Sequence, residues 1–438
     1  MSFTVRHFRG GIHPQGGKEL SCSKPIQVAP LFDKYYVILH QHIGAPPKSL
    51  VKTGDIVKKG QMLAESGGFV SASVHSPTSG KVKLVEWPGP SGTKVKAVEI
   101  TADGNDEWDE YIQHDPNWKS LSRDEIKNRI ANGGIVGMGG AAFPTFVKLS
   151  PPPDKKIDSL ILNGAECEPY LTADHRLMLE EPEKILIGIQ LLAKVLNVKN
   201  IFLGIEKNKL DAIDKLIKVT EETNIEVVPL RVRYPQGAEK QLIYAITGRE
   251  VPSGKLPMDV GCVVQNVGTA AAVADAVVDN IPLIERVTTV TGTPVYNPGN
   301  WKLRVGTPLS KVLELVGGIN RQPAKILLGG PMMGTAQYSL DVPIMKNASG
   351  VLLLAKEEIA QYSSHPCIRC GRCIDVCPMS LMPSTLSVMI ESENFEMAEY
   401  TNVMDCIECG SCAYVCPALR PLVQHLRRGK AEVIACKK

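Results

Sequence analysis

The sequence predicts a multidomain α/β plus β protein that ends in a small helical, cysteine-rich module. Three observations carry this reading. Strand-like and helix-like runs alternate between residues 120 and 282. Short strand-like runs punctuated by Gly and Pro fill residues 31–105. A cysteine run occurs twice near the end, at 367–377 and 406–416. With 438 residues and roughly 150 residues per domain, about three domains are expected.

The first 30 residues read as a separate N-terminal segment. Residues 31–105 read as a small β domain, with strands near Tyr35–His40, Lys81–Val85 and Lys94–Ile100 between turn residues. Two half-patterns, Val51 to Gln61 and Ser76 to Val82, resemble the barrel-sandwich fold of lipoyl and biotinyl carrier domains. Those carriers present a lysine at the hairpin tip between the halves. Gln61 to Gly80 contains none, so the swinging arm is absent and a structural role is expected.

Residues 120–282 predict a parallel, Rossmann-like sheet. Strands are expected at Ser159–Leu162, Asn200–Leu203 and Glu226–Arg231, and helices near Asp174–Val195, Lys207–Glu222 and Ala238–Thr247. A glycine-rich loop, Gly133 to Thr145, precedes the first strand. The dinucleotide fingerprint instead follows a strand and opens a helix. The loop therefore reads either as backbone amides free to approach a phosphate or as a plain flexible loop. Asn163-Gly-Ala-Glu166-Cys-Glu168 follows the strand directly, where ligand-binding residues of parallel sheets collect. Residues 283–350 predict a small β-grasp-like domain, with strands at Val287–Val290 and Lys325–Leu328 and a helix near Leu309–Val316.

Residues 358–438 contain Cys367-x2-Cys370-x2-Cys373-x3-Cys377-Pro378 and the same spacing at Cys406, Cys409, Cys412, Cys416 and Pro417. This is the bacterial ferredoxin run, whose fourth cysteine ligates the other cluster. Cys367, Cys370, Cys373 and Cys416 are expected to hold one [4Fe–4S] cluster, and Cys406, Cys409, Cys412 and Cys377 the second. The prolines are expected to launch helices from the fourth cysteines, and Ile368 and Ile407 to exclude water. Zinc sites space their ligands differently, as pairs across a longer gap. Cys22, Cys167, Cys262 and Cys436 lack such spacing and read as buried thiols. The basic stretch from Arg420 onward reads as a solvated tail.

Net charge is +3, from 49 basic and 46 acidic side chains, which gives no general attraction to nucleic acid. No apolar run reaches the ~18–20 residues that span a bilayer. Gly268 to Val278 is the longest, and Asp275 interrupts it. A soluble or peripheral protein is expected.

Gly10-Gly-Ile-His-Pro14, the lysine-free barrel-sandwich domain, Gly137-Met-Gly-Gly-Ala-Ala-Phe-Pro-Thr145, Asn163 to Pro169, Gln265-Asn-Val-Gly-Thr269, Gly329-Gly-Pro-Met-Met-Gly334 and the two ferredoxin runs occur in that order. In this order of motifs the whole chain resembles the RnfC family, one of the subunits of the Rnf ion-translocating electron-transport complex. Its middle is similar to the flavin subunit of respiratory complex I. That likeness implies non-covalent FMN at Gly137, Gly139, Gly140, Lys148, Asn163, Asn266 and Thr269. It implies NAD(H) beside Phe143, Glu166, Glu168 and Glu239. The sequence departs from that family at Val136 or Met138, where an arginine is expected, and at Ala165, where an Asp is expected. The resemblance further implies a β-grasp domain of the SLBB type. It implies electron transfer between NAD(H), FMN and the two clusters, partner subunits of a membrane complex, an indirect link to ferredoxin, and a peripheral place on the cytoplasmic face of the cell membrane. A cobalamin-reductase-like protein and a bicluster carrier without flavin are the alternatives.

Overall fold

A computed structural model describes residues 6–437 apart from positions 91 and 364. Its centre is a four-stranded, all-parallel sheet in the order Ile225–Leu230, Asn200–Glu206, Ser159–Gly164, Cys262–Asn266. Leu160, Ile161 and Leu162 are buried in succession, as a strand covered on both faces requires. The fourth strand, Cys262–Asn266, is absent from the sequence expectation, because its short run offers no alternation to read. The single helix expected over 174–195 is two, Ala173–Glu180 and Pro182–Leu196. Pro182 lacks the amide that would continue the first helix and suits the first turn of the second. The second helix packs on Val267–Val278 so closely that a Cβ on Gly188 would lie 1.9 Å from the Ala270 carbonyl oxygen. The longest apolar stretch is thus a core helix. No helix among the described residues is long and apolar enough to cross a membrane.

The β domain pairs Lys34–Ile38, Lys94–Ala102, Gly80–Pro88 and Ile56–Val57 in one antiparallel sheet, and Lys48–Ser49, Met62–Glu65 and Val74–His75 in another. Its tip is not free. Phe69 meets Phe146 edge-on at 5.6 Å between ring centroids. The Ser73 carbonyl accepts from the buried Lys346 ammonium, which also donates to the Gly134 carbonyl, both at 2.7 Å. The hairpin that carries a mobile lysine in carrier domains here buttresses the start of the glycine loop.

The third domain is a six-stranded mixed sheet in the order Ile26–Val28, Gly299–Arg304, Glu285–Thr291, Gly350–Leu354, Lys325–Leu328, Thr335–Ala336. It takes its edge strand from the N-terminal segment and runs past residue 350 to Leu354. Arg304 carries it onto the barrel-sandwich domain by donating to the Pro77 carbonyl at 3.0 Å, and makes a two-pronged contact with Asp106, just past the domain's end, at 2.5 and 2.6 Å.

The cysteine module differs from expectation in three ways. Cys377 and Cys416 do not start helices: they follow the short helices Arg372–Asp375 and Ser411–Tyr414. Ser380 and Leu419 then turn the chain through φ of 55° and 50°, and the long helices begin only at Pro383 and Leu422. Ile368 is 65% exposed, whereas Ile407 packs against the Tyr234–Cys409 contact. The basic end is no solvated tail but the helix Leu422–Cys436. Leu422, Leu426, Gly429 and Val433 lie at helical spacing on its buried face, and its cations pair within the module, Arg427 and Lys430 with Glu408 and Arg428 with Glu393.

Candidate functional site

Asn163 and Asn266 end neighbouring parallel strands and are register partners, so they stand side by side at the carboxyl edge of the sheet. Asn266 also caps the helix Val267–Val278, its Oδ1 accepting from Gly268 N at 2.8 Å and Thr269 N at 3.3 Å. The glycine loop folds over this cap. Thr269 Oγ1 accepts from Met138 N at 2.9 Å, Gly137 N donates to the Phe143 carbonyl at 2.8 Å, and a Cβ on Gly139 would rest 3.6 Å from Asn266. Gly140 adopts φ +123° and a Cβ there would meet nothing within 4 Å. Gly139 and Gly140 are exposed, and their amides have no protein partner among the described residues. An open turn with free amides suits an anionic ligand, so the fit to a flavin phosphate is good.

Lys148 and Glu239 form one pair, 2.7 Å apart, and Lys148 also donates to the Val264 carbonyl. This places the cation beneath the strand that carries Asn266. Asn163 donates to the Gly237 carbonyl at 2.8 Å, and Gly237 N donates to Cys167 Sγ at 3.2 Å. Burial pushes the Cys167 thiol well up, which keeps it neutral.

The two glutamates after Asn163 face different ways. Glu166 accepts from the amides of Asp174 and His175 at the start of helix Ala173–Glu180. Glu168 leaves the glycine loop entirely. It accepts from Met332 N at 3.1 Å and Met333 N at 2.9 Å, and a Cβ on Gly330 would lie 2.2 Å from its carboxylate. Burial pushes Glu168 up to about 7 against the pull of the two amides.

Several residues of this site carry no sequence signal of their own. Asp174 is half-buried and accepts from Asn266 Nδ2 at 2.7 Å. Burial and the Glu166 carboxylate push it up to about 7. Arg286, held at about 10 by burial, donates to the carbonyls of Lys346 and Met138. Lys18 donates to the carbonyls of Glu166, Glu168 and Leu171. Only the fold brings these groups, far apart in the chain, to the glycine loop and the segment after Asn163.

The two cysteine runs share one backbone form. Arg369 and Glu408 have φ of 56° and 58°, and Gly371 and Gly410 have φ of 78° and 80°. Amides point at the thiols in both, Arg369 N to Cys367 and Glu408 N to Cys406, each at 3.4 Å, the donors that tune a cluster's sulfurs. Cys367, Cys370, Cys373 and Cys416 line one cleft. Cys377 lies within electrostatic reach of Cys406, Cys409 and Cys412, and also of Cys373. Among the described residues, no three His, Cys, Asp or Glu side chains close into the tight set of a single ion; a cubane spreads its four thiolates over a wider cage. Of the remaining cysteines, Cys262 is buried, Cys22 and Cys167 are half-buried, and Cys436 is exposed, because the last helix turns it away from the module.

Family models match in the order of the domains: the RnfC barrel sandwich hybrid domain over residues 6–105, the Nuo51 FMN-binding domain over 130–275, the SLBB domain over 287–336 and the 4Fe-4S dicluster domain over 360–417. The RnfC subunit of the proton-translocating ferredoxin:NAD(+) oxidoreductase complex of Clostridium ljungdahlii is 53% identical, over 98% of this chain and 94% of that protein. The RnfC subunit of the Na(+)-translocating complex of Acetobacterium woodii is 47% identical over 98% of both. A NAD+-reducing [NiFe]-hydrogenase in its H2-reduced state shares the fold, with a TM-score of 0.53 and 19% identity, over 73% of this chain and 64% of that one. FMN and two [4Fe–4S] clusters are accordingly the cofactors of this chain. With near-complete coverage at such identity, the chain belongs to the RnfC family of subunits of ion-translocating ferredoxin:NAD(+) oxidoreductase complexes.

Proposed function

We propose that this chain carries electrons between NAD(H), FMN and its two clusters, and exchanges them with partner subunits of an ion-translocating ferredoxin:NAD(+) oxidoreductase complex. A flavin supplies the conversion between a hydride pair and the single electrons that iron–sulfur clusters carry. The chain's own residues bind and place. The free amides of Gly139 and Gly140 take the flavin's anionic end. Asn163, Asn266 and Thr269 shape the floor, and Lys148 supplies a cation that Glu239 holds in place. Phe143, whose carbonyl closes the glycine turn on Gly137 N, is assigned to the nicotinamide side by the family likeness.

One observation carries the reading: direct contacts tie the sheet edge that bears Asn163 to the cysteine module. Gly237, which Asn163 holds, lies three residues beyond Tyr234, and Tyr234 donates its hydroxyl proton to the Cys409 carbonyl at 2.8 Å. The cluster site with Cys409 therefore faces the α/β domain. The other faces outward: Cys370 is exposed and Ile368 stands in solvent beside it. Electrons would pass to a partner at that outer end.

Anaerobic titration with NADH, followed by absorbance and EPR, tests the proposal. The flavin band should bleach and cluster signals should follow; clusters that stay oxidised while the flavin bleaches would end it. The chain's place is proposed to be peripheral, on the cytoplasmic face of the membrane. Alkaline carbonate should then strip it from membranes, and retention in the lipid pellet would count against that placement.

A further inference from the structure

Two glycine motifs have no part in the flavin site: Gly10-Gly-Ile-His-Pro14 and Gly329-Gly-Pro-Met-Met-Gly334. Both converge on Tyr234. Ile12 pairs with Tyr234 in both directions, N to O at 2.8 Å and O to N at 2.9 Å, and Gly11 N donates to the Val376 carbonyl at 2.8 Å. Gly10 and Gly11 take φ of +74° and +79°, a conformation natural to glycine. A Cβ on Gly10 would lie 2.8 Å from the Cys377 carbonyl oxygen, and one on Gly11 2.6 Å from that of Tyr234. The N-terminal segment is thus a strap laid between the α/β domain and the Val376–Cys377 peptide.

The second motif closes the junction from the other side. The Gly329–Gly334 turn aims the amides of Met332 and Met333 at Glu168, whose Oε1 lies 3.4 Å from the Tyr234 hydroxyl. Met332 also packs on Gly410, where a Cβ would lie 3.3 Å away. The Tyr234 ring is 2% exposed, and its hydroxyl donates to Cys409 O at 2.8 Å. A buried phenol whose proton is committed to one ligand's carbonyl holds that peptide in a single orientation and directs a positive dipole at it.

We propose that Tyr234 is a positioning residue for the cluster of Cys406, Cys409, Cys412 and Cys377, fixing the Cys409 peptide while the Gly10–Ile12 strap fixes Cys377. The inference rests on that ligand assignment. The hydroxyl stabilises the extra negative charge of the reduced cluster. It sets this cluster's potential above that of the same cluster without it and leaves the other cluster untouched.

The test is an EPR-monitored redox titration of full-length, reconstituted Tyr234→Phe. Cys370→Ala and Cys409→Ala identify the two signals. Removing a hydrogen bond of ordinary net strength should lower the reduction equilibrium constant of the Cys409-type cluster about threefold to tenfold, about 30–60 mV downward. The Cys370-type signal serves as internal reference and should not move. Gly10→Ala, which drives a methyl into the Cys377 carbonyl, should disturb the same signal. If Tyr234→Phe loses four of eight iron atoms, loss of the Cys409-type signal supports the proposal and loss of the other overturns it. Equal shifts of both signals, or no shift with iron retained, overturn it too. Loss of both signals in both variants would make the junction part of the fold and likewise overturn it. A failed ligand assignment shows separately, as different signals lost in Cys409→Ala and Cys377→Ala.

Discussion

Asn266 makes three bonds that can be taken apart by substitution. Its Oδ1 caps the helix Val267–Val278 through Gly268 N and Thr269 N, and its Nδ2 is the donor to half-buried Asp174. Asn266→Ala removes both functions. Loss of an N-cap costs about 0.5–2 kcal/mol, and a buried acceptor left without its donor about 1–3 kcal/mol. Together, about 1.5–5 kcal/mol of local stability should go. Hydrogen exchange of the Val267–Val278 amides in flavin-free protein reads this as local opening, accelerated roughly tenfold to several thousandfold at 1.36 kcal/mol per factor of ten. Asn266→Asp separates the two functions, because aspartate caps as well as asparagine but turns a second carboxylate toward Asp174. The sign follows from Asp174, whose folded value is raised to about 7 from 3.8. Its folded form holds a proton that the unfolded chain has lost between those values, so its contribution to stability is greatest below 3.8 and falls as pH rises through 7. The deficit of Asn266→Asp should therefore be small near pH 5 and large at pH 8. Wild-type exchange in Asn266→Asp at pH 8 would refute the Asn266–Asp174 contact. A change under about threefold in Asn266→Ala would refute the stability reasoning altogether.

Three further outcomes are expected. Cys416→Ala should lose the same EPR signal as Cys370→Ala and spare the one lost by Cys409→Ala; the opposite pattern would mean that each run binds its own cluster. Acid precipitation should release the flavin as FMN into the supernatant, and flavin retained on the polypeptide would contradict non-covalent binding at the Gly137–Gly140 turn. Arg304 and Lys59 hold the Asp106 carboxylate at about 2, below its ordinary 3.8, so its contribution is present above 3.8 and lost as pH falls through 2. Asp106→Asn should accordingly weaken the barrel-sandwich contact at pH 7, measured by urea unfolding, and match wild type as pH approaches 2; a constant deficit at every pH would rule out the ion pair as its cause.

Local and periodic features were legible in one dimension. The cysteine spacing specified two matching loops, and the structure repeats their left-handed residues at Arg369 and Glu408. Alternating strand and helix runs specified a parallel sheet, and Ser159, Asn200 and Ile225 begin three of its four strands. Composition revealed a barrel-sandwich domain without its lysine, since an absent residue type is visible in one dimension. Which distant groups meet became visible only in three dimensions. Glu166 and Glu168 are two residues apart, yet one caps a helix start and the other holds the Met332–Met333 turn, because the chain reverses between them at φ 45° for Glu166. Lys18, Asp174, Arg286 and Lys346 gave no local signal, because each acts through partners far away in the chain. Tyr234 reads as an ordinary aromatic before a proline. It becomes the link to Cys409 because an N-terminal strap and a glycine turn more than 90 residues away close around it, and burial leaves its hydroxyl proton a carbonyl to bond.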